Sequence, residues 1–352
     1  MAERAQQAAQ APGGPRRGSA SPPRTPRASS MRGTYAALDL GTNNCRLLIA
    51  RPAGDGFVVI DAFSRIVRLG EGLAGSGRLS DAAMDRAISA LSVCAEKLKR
   101  RNVTLVRSVA TEACRRAENG REFVARVLSE TGIRLQIITA EQEARLAVMG
   151  CHALLEPGTG PALVFDIGGG STELVLLEGE SGGAPNVGDW FSAPWGVVSL
   201  SESEPHIGSS EGELRAAYGR MRARLSAAFA PFAATLKARG AQSGGRLLGT
   251  SGTVTTLASL HLDLPSYDRR AVDGLIVPAE SMRGMCQRLA GMTVAERAEL
   301  ACIGNERADL VVAGCAILEA ILDLWPAERL SVADRGIREG ILRSLMAHEL
   351  RG

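Results

Sequence analysis

A short pattern occurs twice in this chain, 127 residues apart, and it constrains the fold more than any other feature. The first copy runs Tyr35-Ala36-Ala37-Leu38-Asp39-Leu40-Gly41-Thr42-Asn43-Asn44 and continues through apolar residues to Ala50. The second runs Ala162-Leu163-Val164-Phe165-Asp166-Ile167-Gly168-Gly169-Gly170-Ser171-Thr172-Glu173 and continues through Leu174 to Leu177. Superposed, Asp39 falls on Asp166 and Gly41 on Gly168, with apolar strands flanking both turns. Each copy is a strand ending in a carboxylate, a glycine-containing turn and a returning strand. Glycine permits close backbone approach and positive φ. N–H groups exposed in such a turn grip anionic oxygens, and the carboxylate beside them holds a hydrated divalent cation or a water. Two such turns facing each other make a phosphate clamp, so the pattern predicts two like domains around a cleft.

The 352 residues suffice for two or three domains and a sizeable core. No apolar run approaches the roughly 18 residues of a membrane helix, so no membrane partner is expected. Seven cysteines (Cys45, Cys94, Cys114, Cys151, Cys286, Cys302, Cys315) are scattered, never in a C-x-x-C pair, and the four histidines add no zinc pattern. Reduced thiols acting as small apolar side chains in a cytoplasmic protein are the expectation. The net charge of +3 is unevenly spread: residues 1–32 hold six arginines against the single acid Glu3, which leaves the rest of the chain at −2. This head, rich in Pro, Ala, Ser and Arg, lacks the apolar stretch of a secretory signal and cannot build a core. It reads as a disordered basic tail, serving as a spacer, as a misassigned start ahead of Met31, or as an arm for a polyanion. No specific nucleic acid is expected.

Behind the head, Tyr35–Leu38, Arg46–Ala50 and Phe57–Phe63 read as an antiparallel meander. Ser80 caps a helix that puts Met84, Ala87, Ile88, Leu91, Cys94, Ala95 and Leu98 on one face. Val103–Val109 and Arg134–Ile138 read as strands around a helix near Arg121–Glu130. Thr139 and Gln142 form a capping box that opens a helix to about Cys151. After a connector over Glu156–Pro161 come the second hairpin, a loop around Trp195-Gly196 and a long helix from Glu211 to Arg239. The strand Arg246–Leu248 then enters Gly249-Thr250-Ser251-Gly252-Thr253 and a helix; further helices near 278–290 and 306–324, a strand Arg329–Ala333 and a closing helix over 335–349 complete the chain. A meander followed by alternating helix and strand implies mixed sheets. The expected organisation is a tail over 1–32, one α/β domain over 33–155 and a second over 156–352.

The two turns, with Ala110-Thr111-Glu112-Ala113-Cys114-Arg115, Glu143-Ala144-Arg145-Leu146, Gly249-Thr250-Ser251-Gly252-Thr253 and Arg338-Glu339-Gly340, form an ordered series across the folded body. It resembles the actin-like superfamily of phosphotransferases. Within that superfamily it is similar to the Ppx/GppA family of exopolyphosphatases and guanosine pentaphosphate phosphohydrolases. The resemblance implies two ribonuclease H-like (actin-like ATPase) domains, α/β with mixed sheets flanked by helices, around an interdomain cleft. It also implies a hydrolase acting on phosphoanhydride bonds, Mg²⁺ as cofactor, inorganic polyphosphate or guanosine pentaphosphate as substrate, and a homodimer. Longer relatives add a helical HD-type domain with further substrate contacts, so a short form with fewer sites for a long polymer is expected. The first turn reads Thr42-Asn43-Asn44-Cys45 where Ser-Asn-Ser is usual, which keeps the central Asn.

The resemblance also assigns roles. Glu143 matches the general base that takes a proton from the attacking water; in a partly desolvated cleft a carboxylate's pKa rises toward useful values. The following Ala144-Arg145-Leu146 sets this register, with Glu141 as the neighbouring alternative. Asp166 and Glu173 support Glu143, and they and Asp39 are the candidate Mg²⁺ ligands. Gly168, Gly169, Gly170 and Ser171 offer N–H donors to the scissile phosphate, and Asn43 matches a polyphosphate contact. Arg115, with Arg116 as its alternative, supplies the planar fork that phosphoryl transfer needs on its equatorial oxygens. Arg65 stands where many relatives have Lys. Ser251 and Gly252 contact substrate or start a helix. A nucleophilic serine is not supported, because the pattern is not G-x-S-x-G and His261 lies ten residues further on. Arg338 and Glu339 read as structural.

Three readings of function compete. The first is an exopolyphosphatase that releases terminal phosphate with Mg²⁺. The second, a guanosine pentaphosphate 5′-phosphohydrolase, differs only in what the distal cleft grips. The third is a non-catalytic regulator that binds polyphosphate or the alarmone. An ATP-dependent kinase would need an adenosine pocket that no motif secures.

Overall fold

The two repeats take the same layout in a computed structural model, which describes residues 33–54, 56–179, 185–241 and 245–349. The basic tail expected over 1–32 lies outside the described residues. In the first repeat β1 (Tyr35–Leu40), β2 (Asn44–Ala53) and β3 (Gly56–Ile66) form the antiparallel meander. There follow α1 (Leu73–Ser76), α2 (Asp81–Arg100), β4 (Leu105–Ala110), α3 (Glu112–Arg116), α4 (Gly120–Thr131), β5 (Leu135–Ile137) and α5 (Ala140–Cys151). β4 lies parallel to β1 and β5 parallel to β4, so the sheet order is β3-β2-β1-β4-β5.

The second repeat comprises β6 (Ala162–Ile167), β7 (Thr172–Glu178), β8 (Asn186–Ala193), α6 (Val197–Ser203), α7 (Glu211–Ala238), β9 (Arg246–Thr250) and α8 (Gly252–His261). It continues with α9 (Arg269–Val272), β10 (Ile276–Pro278), α10 (Ala279–Ala290), α11 (Val294–Ala298), α12 (Val311–Leu324), β11 (Arg329–Ala333) and α13 (Ile337–Glu349). Its sheet runs β10-β11-β9-β6-β7-β8: the first order again, with β11 in the place of β5 and β10 added at the edge. The molecule is therefore mixed α/β, two mixed sheets flanked by helices. β1 is buried throughout and β6 almost so, as their unbroken apolar runs require of central strands.

Local signals set most element ends. Ser80 Oγ accepts from Ala83 N–H at 3.3 Å and starts α2. At α5, Gln142 N–H donates to Thr139 Oγ1 at 3.2 Å while Thr139 N–H donates to Gln142 Oε1 at 3.1 Å, the expected capping box. Two expectations shift. The helix expected from 306 starts at Val311, because Gly304 at φ +64° turns the chain and Arg307 and Ala308 bond back to it; Arg307 and Asp309 stay in a turn. The loop around Trp195-Gly196 leads straight into α6, whose first N–H groups, on Val197 and Val198, donate to Gly168 O and Gly169 O.

Each sheet has its own core, around Leu38, Leu47, Leu91 and Phe123 in the first and Phe165, Phe229, Ile317 and Trp325 in the second. Two helices cross between them. α5 lays Ala144, Val148 and Cys151 on Val164, Val175 and Leu248 of the second sheet, while α13 packs on α5 and on β1 of the first. The helix backbones touch: a Cβ on Gly150 would stand 1.9 Å from Gly336 O, and one on Gly340 2.0 Å from Leu146 O. Only glycine fits there, which explains the last residue of the Arg338-Glu339-Gly340 motif. All seven cysteines are free, six of them buried. Among the described residues no helix is long and apolar enough to cross a membrane.

Candidate active site

Both turns close with the same bond, Gly41 N–H to Asn44 O and Gly168 N–H to Ser171 O, each 2.9 Å. In the adjoining ladders Asp39 stands opposite Arg46, and Asp166 opposite Glu173. The turns meet face to face. A Cβ on Gly169 would lie 3.0 Å from Asn43 N, and one on Gly170 2.7 Å from Thr42 Oγ1. Neither Gly41 nor Gly168, Gly169 or Gly170 has positive φ, so the second turn needs its glycines for close approach rather than for a left-handed backbone. Among the described residues, the N–H groups of Asn43, Gly169 and Gly170 have no hydrogen-bond acceptor in the protein.

Four carboxylates gather at the clamp. Glu143 is buried in the first turn of α5, and its Oε2 accepts from Arg115 Nη1 at 3.0 Å. Burial, then the charges of Glu173 and Asp39, push its pKa well above the ordinary value, and Arg115 opposes them. Glu173 is raised to about 7 by burial and by Asp166, although it accepts from Ser192 Oγ at 2.9 Å. Asp166 rises to about 6 through desolvation and the charge of Asp39, against the pull of Arg46. Asp39 is raised by burial against Arg46 and Arg338, and its buried Oδ1 has no hydrogen-bond partner. Glu141, the alternative to Glu143, lies on the outer side of α5 and pairs with Arg145 at 3.0 Å.

The cations sort differently from the sequence expectation. Arg115 faces the cluster, whereas Arg116 is exposed. Arg65 does not reach it. The β2–β3 register pairs Arg65 with Cys45, whose thiol lies 4.0 Å from Cys94 of α2, so Arg65 belongs to the α2 face. There it stacks over Phe63 at 5.3 Å and approaches Ser89 Oγ at 3.5 Å. Of the pair taken as structural, only Glu339 is so, accepting from Gly336 N–H at 2.9 Å and from Arg269 at 3.0 Å. Arg338 makes no hydrogen bond or ion pair among the described residues and lies within electrostatic reach of Asp39 and Arg46; burial, with Arg46 beside it, lowers its pKa. Arg46 was legible: it follows Asp39 by seven residues, as Glu173 follows Asp166. Nothing in sequence spacing points to Arg338 or to Ser192, which only the folded chain brings near.

Ser251 and Gly252 follow Thr250, which pairs with Asp166 across β9 and β6, so their turn adjoins the cluster. Ser251 is held at φ +120°, a region sparsely used by side-chain-bearing residues, and its buried Oγ has no partner. Arg307 leans over this turn, with Nη1 3.1 Å from Thr256 Oγ1 and 3.5 Å from where a Cβ on Gly252 would be. Among the described residues no three His, Cys, Asp or Glu side chains form a metal-holding group. Asp39, with its orphan oxygen, and Asp166 nevertheless fit a hard divalent cation that takes its other ligands from water and phosphate.

Beyond Asn43 the cleft opens into a cavity of about 340 Å³ with apolar walls from Val198, Pro205, Val294 and Leu310 and with Glu71, Glu202 and Asp309 at its rim. Arg68 reaches over it to Asp309 at 3.0 Å, and Gly72 N–H donates to Glu202 Oε1 at 2.8 Å. The buried Oδ1 of Asn43 and Oγ of Ser201, both lining this cavity, have no hydrogen-bond partners.

Residues 48–349 match the Ppx/GppA phosphatase family. The chain belongs to that family. Exopolyphosphatase 2 of Mycobacterium tuberculosis is 34% identical over 325 residues, covering 88% of this chain and 98% of the relative. The crystal structure of the Aquifex aeolicus Ppx/GppA family member is 29% identical with a TM-score of 0.71, over 90% of this chain and 98% of that one. An exopolyphosphatase structure from Cytophaga hutchinsonii, 23% identical with a TM-score of 0.78 over 90% of this chain and 98% of that one, is alike in fold. The actin-like two-domain fold is common to this Ppx/GppA phosphatase and these structures.

Proposed function

We propose that this phosphatase is an exopolyphosphatase that cleaves the terminal phosphoanhydride of inorganic polyphosphate with Glu143 as general base. The observation that carries the reading is the placement of Glu143: buried, high in pKa, and set between two turns whose N–H groups are free. Asn43, Gly169 and Gly170 offer those N–H groups to the terminal phosphoryl oxygens. Glu143 removes a proton from water as its oxygen approaches phosphorus; the bridging P–O bond breaks and the shortened chain leaves with the electron pair. Glu173, fixed by Ser192, keeps a second acidic group near Glu143 and so holds its proton affinity up. Arg46 and Arg338 favour the charged form of Asp39. Mg²⁺ held by Asp39 and Asp166 would supply charge neutralisation on the phosphate oxygens.

The cavity beyond Asn43 favours a second reading, guanosine pentaphosphate 5′-phosphohydrolase. Its apolar walls, rim carboxylates and unpartnered acceptor suit a base and sugar bearing N–H and O–H donors better than a bare polyanion. Phosphate release from tripolyphosphate, long polyphosphate and guanosine pentaphosphate, compared between the wild type and Glu143→Gln, tests both. Release that falls by about 10²–10⁴ in the variant supports the base, and the faster substrate chooses the reading. Tight binding without release by either protein would make the chain a polyphosphate or alarmone sensor.

A further inference from the structure

Arg115 does not wait with an open fork. Its Nε and Nη2 donate to Glu112 Oε2 at 3.0 and 2.6 Å, and its Nη1 donates to Ile138 O at 2.8 Å and to Glu143 Oε2 at 3.0 Å. The side-on pair of donors, Nε with Nη2, is the face with which a guanidinium takes a phosphate. A carboxylate of the protein occupies it. Glu112 also stands where the two turns meet: its Cγ lies 2.9 Å from where a Cβ on Gly170 would be, and it shares a small pocket with Thr42, Gly170 and Ser199.

We infer that Glu112 is a positioning residue that stands in for the substrate's phosphate, holding the Arg115 fork in the empty cleft and yielding it when a polyphosphate group arrives. The inference rests on the reading of Arg115 as a phosphate ligand. A polyanion entering the clamp brings more charge to the fork than one carboxylate does, and it repels Glu112 from beside Gly170. The hold sets the arginine's rotamer in advance, and the cost is affinity, because each binding event first breaks a charge-assisted pair.

The test is titration of tripolyphosphate into full-length protein by calorimetry, with phosphate-release kinetics alongside. Glu112→Gln removes the competing charge and should tighten binding and lower KM by about tenfold, while kcat falls because the fork is no longer pre-set. Glu112→Asp, which keeps the charge, should return affinity to near the wild-type value. Glu141→Gln makes the same change of net charge on the outer face of α5 and should leave affinity unmoved. A merely structural role would weaken binding on substitution and could not tighten it. Unchanged or weaker binding by Glu112→Gln, or equal tightening by Glu141→Gln, overturns the inference. So does an absence of binding by both the wild type and Glu112→Gln. Failure of the functional reading looks different: neither protein releases phosphate, whatever the affinities.

Discussion

The two Asp-Gly turns share a closing bond, a ladder and a neighbour, yet they differ in what faces the aspartate across the hairpin. In the first turn it is Arg46, in the second Glu173. One backbone motif therefore carries different partners: across its hairpin the first aspartate faces a cation and the second an acid, while burial raises the pKa of both and Arg46 pulls on both. The turns also differ in crowding. The nearest atom to a Cβ on Gly41 would be Asn44 O at 3.6 Å, whereas Gly169 and Gly170 are pressed against the first turn and Gly196. A repeated hairpin has been specialised into a half whose aspartate faces a cation and a half whose aspartate faces an acid, and Glu143 lies within electrostatic reach of Asp39 in the one and Glu173 in the other.

Reversing the charge at Arg46 should break this contrast most severely. Arg46→Glu would give the first turn the acidic pair of the second and add a fifth carboxylate to the cluster. Phosphate release should fall by 10²-fold or more, and urea unfolding at pH 7.5 should show a loss of about 3 kcal/mol. A variant of wild-type stability would mean that the balance at the first turn is incidental.

The crowding is sharpened by glycine. In Gly196→Ala the new Cβ would stand 2.4 Å from Gly169 C, backbone against backbone, and the expected cost is about 2 kcal/mol or more. Gly41→Ala, whose Cβ would meet Asn44 O at an ordinary contact distance of 3.6 Å, should cost less than about 1 kcal/mol. Equal losses in denaturant titrations would show that the close approach of Gly196 to the second turn does not distinguish the two turns.

Proton retention gives a stability profile with a definite sign. Folded, Glu173 and Asp166 keep their protons until about pH 7 and about pH 6, against ordinary values of 4.5 and 3.8. Between these limits the folded protein binds more protons than the unfolded chain, so stability is greatest below the ordinary values and falls as pH rises through about 6 to 7. The melting temperature should drop by a few degrees over that window, and Asp166→Asn should flatten the drop. Phosphate release should show the opposite slope, rising with pH as Glu143 loses its proton. A wild-type melting profile that rises across the window would contradict the raised carboxylates.

The smallest effect belongs to Glu141→Gln. The exposed Glu141–Arg145 pair is an i,i+4 surface bridge worth about 0.5 kcal/mol or less, so kcat should stay within about twofold of the wild type. A large loss would return Glu141 to contention as the base.

Short-range order was plain in the amino-acid sequence. The apolar strands around Asp39 and Asp166, the capping box at Thr139 and Gln142 and the seven-residue spacing to Arg46 and Glu173 are relations within one hairpin or one helical turn. Backbone geometry translates such relations directly into structure, and they set Asp39 and Asp166 at the ends of their strands and Glu143 in the first turn of α5. What the sequence left undecided was which faces meet. Arg65 went to the α2 side because of its pairing with Cys45; Arg338 came to the carboxylates because α13 returns across the first sheet; and the Glu112–Arg115 pair, itself local to α3, met the second turn because α3 packs beside Gly170. Strand register, the crossing of α5 and α13 and the apposition of the turns join residues far apart in the chain, and no local spacing encodes them. The sequence determined the two hairpins and the capped helix that carries Glu143; the tertiary structure decided which charges surround Glu143, because burial and distance alone set how strongly each carboxylate and guanidinium acts on the next.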